Sequence, residues 1–311
     1  MAFGGGFELM RDGDKEGLWK LMESGIRVLA YAQHVPWLAS VLHELPGMGQ
    51  TSQTLIEFAR AQSVARIKRG ESITGKDLST YLLDEGNPNP KPLDYGIYGS
   101  DALLAVVAGS DTAATAMCCA FFYLLRDKSY FTRLREEIDV RFPLGEDKRP
   151  HDDVSQLATL PLLNAVINET LRLQPPVPTA IQRAPERGSG GVIVGSVFVP
   201  EETGVHIPPY AIHRDERYFS PDPDRFWPDR WLTEKGTVLE QAAFIPFSTG
   251  PMNCVGKSLA QMELRAVIAS LVQRFDMSFK DGWDQSKWEG DLEDYFVFSK
   301  GQLPVILNPR T

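Results

Sequence analysis

Cysteine is scarce, at 3 residues in 311, and two of the three, Cys118 and Cys119, are adjacent. So few thiols in so long a chain exclude a disulfide framework and point to a reducing compartment. A basic excess is also missing. The 32 Lys and Arg face 41 Asp and Glu for a formal net charge of −9, which excludes phosphate-backbone binding as the main task; no nucleic acid partner is expected. The first residues, M-A-F-G-G-G-F-E-L-M-R-D, lack the basic region and apolar run of a secretory signal. No internal repeat and no low-complexity tract occurs beyond Gly188-Ser189-Gly190-Gly191.

What is present is ordinary globular composition, 43% hydrophobic and 23% charged, which excludes a disordered chain. At roughly 150 residues per domain the length allows one or two domains, or a single large one. The one long apolar run, Ala102 to Leu125, would suit a bilayer span of about 20 residues by length. Ser110, Asp111 and Thr112 near its middle oppose that reading, since a central Asp costs about 2.5 to 3.5 kcal/mol in a membrane. A buried helix is expected instead.

Apolar positions at spacings of three and four, Leu18, Leu21, Met22, Ile26, Leu29 and Ala30, predict early helices, and a second amphipathic run covers Thr51 to Lys68. The proline-rich Asn87 to Pro92 segment predicts a loop. Helices are expected from about Leu125 to Arg141, from Val154 to Leu173 ended by Gln174-Pro175-Pro176, and from Ser258 to Phe275. Between Val177 and Pro208, short β-branched runs alternate with Gly and Pro and predict small strands, with a last strand at Pro304 to Leu307. The fold class is therefore mainly α with small β-sheets.

The segment Phe247-Ser248-Thr249-Gly250-Pro251-Met252-Asn253-Cys254-Val255-Gly256-Lys257-Ser258 carries the chemistry. A phosphate-binding loop needs four residues between its glycines, and here there are five. A thiol at the mouth of a helix is favoured as thiolate by free backbone donors and the helix dipole. Gly250 and Gly256 would let the backbone turn tightly and approach a flat ligand. A cysteine in such a loop is otherwise a small buried hydrophobe.

Phe247, Gly250, Cys254 and Gly256 stand as in the haem-ligand loop F-x-x-G-x-x-x-C-x-G of the cytochromes P450, and the chain resembles that family. Glu169-Thr170-Leu171-Arg172 is similar to the family's E-x-x-R helix, and Phe226 to Trp231 to its meander. A salt-bridged triad of Glu169, Arg172 and Arg230 is implied. Ala108-Gly109-Ser110-Asp111-Thr112 is similar to the A-G-x-D/E-T oxygen-activating segment. Gly109 would leave room for oxygen, and Asp111 and Thr112 would relay protons.

The resemblance implies a cytochrome P450 fold incomplete at the N-terminus, because the match covers nearly all of this sequence but only the C-terminal part of the family. It divides the chain into residues 1–93, helices lining the substrate side, and residues 94–311, a haem-binding core. It implies haem with Cys254 as axial thiolate, insertion of one atom of O2 into an apolar small-molecule substrate, and electrons from an NADPH-dependent reductase or other donor. A noncatalytic remnant with weak or no haem binding is the alternative. Met252 departs from the family's frequent Arg or His for a haem propionate, leaving Arg183 and His213 as expected propionate contacts. Arg126, Lys128, Arg133, Arg135 and Lys257 could form a basic reductase-docking patch or a solvated face. Relatives with an anchor sit on the endoplasmic reticulum facing the cytosol; without one, a cytoplasmic location is expected.

Overall fold

A computed structural model describes residues 9–14, isolated positions between 17 and 41, and residues 50–70, 76–89, 94–145, 149–232 and 240–310. The helices expected around Leu18 to Ala30 and the triple glycine at 4–6 fall outside or largely outside these residues. The chain forms two compact units, residues 1–111 and 112–311.

The first unit holds helix α1 (Leu9–Asp12), α2 (Gln50–Arg69), α3 (Leu78–Leu82) and the start of α4 (Tyr95–Arg126). Its organising feature was not legible in the sequence. Arg66 is fully buried and holds Asp77 through Nε and Nη2 at 2.7 and 2.9 Å, with Glu85 at 2.8 Å. Asp77 also caps α3 by accepting from Thr80 N at 2.8 Å. A guanidinium fork matches two carboxylates geometrically, and burial without them would be prohibitive. Tyr98 and Ala102 on α4 pack beside Ile67 and Leu82 in a small cluster, where Tyr98 Oη donates to Ser79 Oγ at 2.8 Å.

The second unit contains the main core. Helices α5 (Lys128–Arg141), α6 (Val154–Leu157), α7 (Pro161–Leu173), α8 (Pro209–Ile212) and α9 (Lys257–Arg274) alternate with hairpin β1–β2 (Val192–Val194, Val197–Val199), strand β3 (Phe275–Phe279), hairpin β4–β5 (Glu293–Tyr295, Val297–Ser299) and β6 (Val305–Pro309). All three strand pairs are antiparallel, with β3 on β6 running from Phe275 opposite Pro309 to Phe279 opposite Val305. Leu134 and Ile138 of α5, Leu163 and Val166 of α7, and Ile268 and Val272 of α9 meet with no solvent exposure. Each such side chain contributes about 1.5 to 3 kcal/mol.

The expected helix from Val154 to Leu173 is two, because Leu160 takes extended backbone ahead of Pro161, which starts α7. Glu137 of α5 caps that start, accepting from Leu162 N and Leu163 N at 2.8 and 2.9 Å. The apolar helix α4 is deeply buried from Ala113 to Leu125 apart from a few half-exposed positions, whereas Leu104 is 63% exposed. By length and composition it is the one helix among the described residues apolar enough to cross a membrane, with 33% of its most apolar window buried.

Candidate haem-thiolate site

Glu169 and Arg172 lie three apart on α7, so they share one helix face, and both are fully buried. Arg172 Nε and Nη2 donate to the two Glu169 oxygens, each at 2.9 Å. Arg230 Nε reaches Glu169 Oε1 at 3.0 Å from the 3-10 turn Pro228–Trp231. The three residues of the expected triad therefore meet. Two further donors, Trp227 N and Trp231 Nε1, each at 2.9 Å, complete the carboxylate's shell. Two cations on one anion leave a surplus positive charge, which backbone carbonyls absorb. Arg172 donates to His213 O, Pro223 O and Arg225 O, and Arg230 to Pro221 O and Asp222 O. Burial pushes Arg230 below its usual pKa, and the Glu169 charge opposes the shift.

The network extends to the cysteine loop. His213 is fully buried; its Nδ1 lies 3.1 Å from Arg172 O, and its Nε2 accepts from Ile245 N at 2.9 Å. Burial holds the ring down to about 3, so it is neutral, with Nδ1 as donor. That geometry corrects one expectation: with both nitrogens committed to backbone, His213 has none for a haem propionate. Arg183 differs. Its backbone bridges Val205 and its guanidinium is exposed.

From Ile245 the chain turns into the cysteine loop. Ser248 N donates to Ile245 O at 3.0 Å, Asn253 N to Gly250 O at 3.1 Å and Cys254 N to Phe247 O at 2.9 Å. Gly250 has φ +77, a left-handed turn that a Cβ would strain. Phe247 is half buried against the core, anchoring the loop. Cys254 stands just ahead of α9, whose cap is Gly256, and its carbonyl accepts from Lys257 N at 3.3 Å. A Cβ on Gly256 would sit 3.7 Å from Cys254 Sγ, so the sulfur overhangs that glycine. The thiol is free and exposed, and Val255, Leu259 and Met262 nearby expose apolar surface. Met252 is exposed as well.

The donor set fits one prosthetic group better than a bare ion. Among the described residues no three His, Cys, Asp or Glu side chains gather as a metal chelate. A single soft sulfur on a hydrogen-bonded loop beside apolar side chains suits a metal whose other ligands come from a flat macrocycle.

On α4, Gly109 and Thr112 lie three apart and Asp111 is buried. Thr115, one turn beyond Thr112, was not singled out from the sequence. Its hydroxyl accepts from Lys300 Nζ at 3.1 Å. Three residues of the expected basic patch have acidic partners, Arg126 with Glu289, Arg133 with Asp229 and Arg135 with Asp276, and Lys128 donates to Met277 O. A cavity of about 670 Å³ lined by Tyr123, Arg126, Glu216, Arg225 and Phe226, among others, includes no residue of the cysteine loop.

Comparisons with known proteins bear on the family and the fold. A family profile described as Cytochrome P450 matches residues 1–300. The chain is 35% identical over 277 residues to tryprostatin B 6-hydroxylase of Aspergillus fumigatus, covering 88% of this chain and 48% of that protein. It is 33% identical over 312 residues to cytochrome P450 monooxygenase notG' of Aspergillus versicolor, covering 100% of this chain and 56% of that protein. It thus spans about half the length of these curated relatives. A zebra fish cytochrome P450 structure with abiraterone superposes with a TM-score of 0.77 over 99% of this chain and 68% of that one, at 23% identity.

Proposed function

The chain belongs to the cytochrome P450 family, and from that membership we propose that it is the haem-bearing part of a monooxygenase that inserts one atom of O2 into an apolar organic substrate. The observation that carries this reading is the free, exposed Cys254 thiol on a loop tied through His213 to the buried Glu169–Arg172–Arg230 network. Haem, when bound, would supply the oxygen-activating chemistry, and Cys254 would supply the sulfur that donates electron density to it.

The protein's own residues have divided tasks. Cys254 supplies the sulfur. Phe247 and Gly250 hold the loop's shape, and Gly256 leaves backbone without a side chain under the sulfur. Arg183 is assigned to a propionate, where an exposed guanidinium can pair with a carboxylate at the rim. Thr112 is assigned to proton delivery, with Asp111 and Gly109 assigned by the same sequence motif. The buried triad does no chemistry; it fixes the backbone that carries the ligand.

A reductase or another electron donor is the proposed partner, and a cytosolic location is part of the same proposal, supported by three cysteines that form no disulfide with one another. The test is direct. The full chain is loaded with haem, reduced and exposed to carbon monoxide; a red-shifted Soret band of a thiolate-ligated ferrous complex is expected. Absence of that band in folded protein favours the noncatalytic reading.

A further inference from the structure

The Lys300 ammonium donates to Thr115 Oγ1 at 3.1 Å, and Thr115 is fully buried. The Thr115 hydroxyl in turn points its proton toward Phe298 O, at 3.5 Å. The same residue also ties strand β5 to the segment just beyond α7, since Phe298 N donates to Pro176 O at 2.9 Å. Lys300 is therefore no trailing surface lysine: Phe298 in the strand before it is tied both to α4 and to the segment beyond α7, and Lys300 is half buried. Thr112 and Thr115 are three apart on α4, so their side chains are neighbours on one face, with Cβ atoms about 5–6 Å apart.

We propose that Lys300 is a positioning residue for Thr112, acting through Thr115 to hold a positive charge one helical turn from the hydroxyl assigned to proton delivery. This rests on the haem-thiolate reading above. A cation at that range favours the electron-rich state of a neighbouring oxygen, and in a partly buried setting the effect is screened less than in water. Lys300 keeps its own protons; the one that Thr112 gives up is replaced from water, so Thr112 ends as it began.

The experiment compares the haem-loaded full chain with Lys300→Met, Lys300→Arg and Thr115→Val. Its main readout is the C–O stretching frequency of the ferrous carbon monoxide complex, which falls when positive charge lies near the bound ligand. The expected result is a rise in frequency in Lys300→Met and Thr115→Val and a value close to the parent in Lys300→Arg. The share of donor electrons lost as hydrogen peroxide should rise in Lys300→Met and return toward the parent in Lys300→Arg. Should the thiolate Soret band persist in every variant with stretch and peroxide yield unmoved, the role of Lys300 is overturned and the haem site stands. Loss of the band in the parent chain overturns both readings.

Discussion

The indole N–H of Trp231 donates at 2.9 Å to Glu169 Oε2, the same oxygen that accepts Arg172 Nε. One carboxylate thus joins α7 to the turn Pro228–Trp231 through a tryptophan as well as through Arg230. Because the pair is buried, removing the anion strands two guanidinium groups. Glu169→Gln is expected to cost about 3–5 kcal/mol, read as a lower urea midpoint or as loss of soluble protein. Trp231→Phe, which deletes one hydrogen bond, should cost only about 1 kcal/mol.

Most helices of the second unit were readable because apolar spacing and prolines mark them, and the triad was readable from its motif. Four features were not. The split at Leu160-Pro161 is a single extended residue inside a continuous apolar pattern. The role of His213 is set by two backbone partners 41 and 32 positions away, a separation that no local pattern encodes. The Arg66–Asp77–Glu85 cluster resembles ordinary surface charge until tertiary packing buries it. Strands β3, β4 and β5 escaped notice because each is only three to five residues long and packs by long-range pairing.

The Cys254 thiol is exposed, so its loss should leave folding almost untouched. Cys254→Ala is expected to keep the unfolding free energy of the haem-free chain within about 0.5 kcal/mol, while the thiolate Soret band disappears. An unchanged haem spectrum in that variant would remove Cys254 as the ligand.

His213 gives stability a pH dependence of known sign. Burial lowers the folded ring to about 3 against an ordinary 6.5, so between those values the unfolded chain binds a proton that the folded chain does not. Stability is complete above about 6.5 and falls as pH drops toward 3. Urea midpoints at pH 7 and pH 5 should show the loss, and His213→Gln should show less of it.

Asp77 works over a lower range. The Arg66 guanidinium holds its carboxyl down to about 2 against 3.8, so the stabilisation is present above 3.8 and disappears as pH falls toward 2. The protection factors of α2 and α3 amides, rates taken relative to free amides at the same pH, should fall over that interval. Arg66→Met should raise exchange already at pH 7 and flatten the acid dependence.

The path Arg172 to His213 to Ile245 to the cysteine loop consists largely of contacts to main-chain atoms. The place of Cys254 is inherited from a distant helix rather than set by the loop's own side chains. Transplanting residues 247–256 onto another scaffold would carry the cysteine and its glycines but not the place where the sulfur stands. Conversely, side chains elsewhere can be exchanged widely without disturbing that place, provided the backbone carbonyls along the path stay where they are.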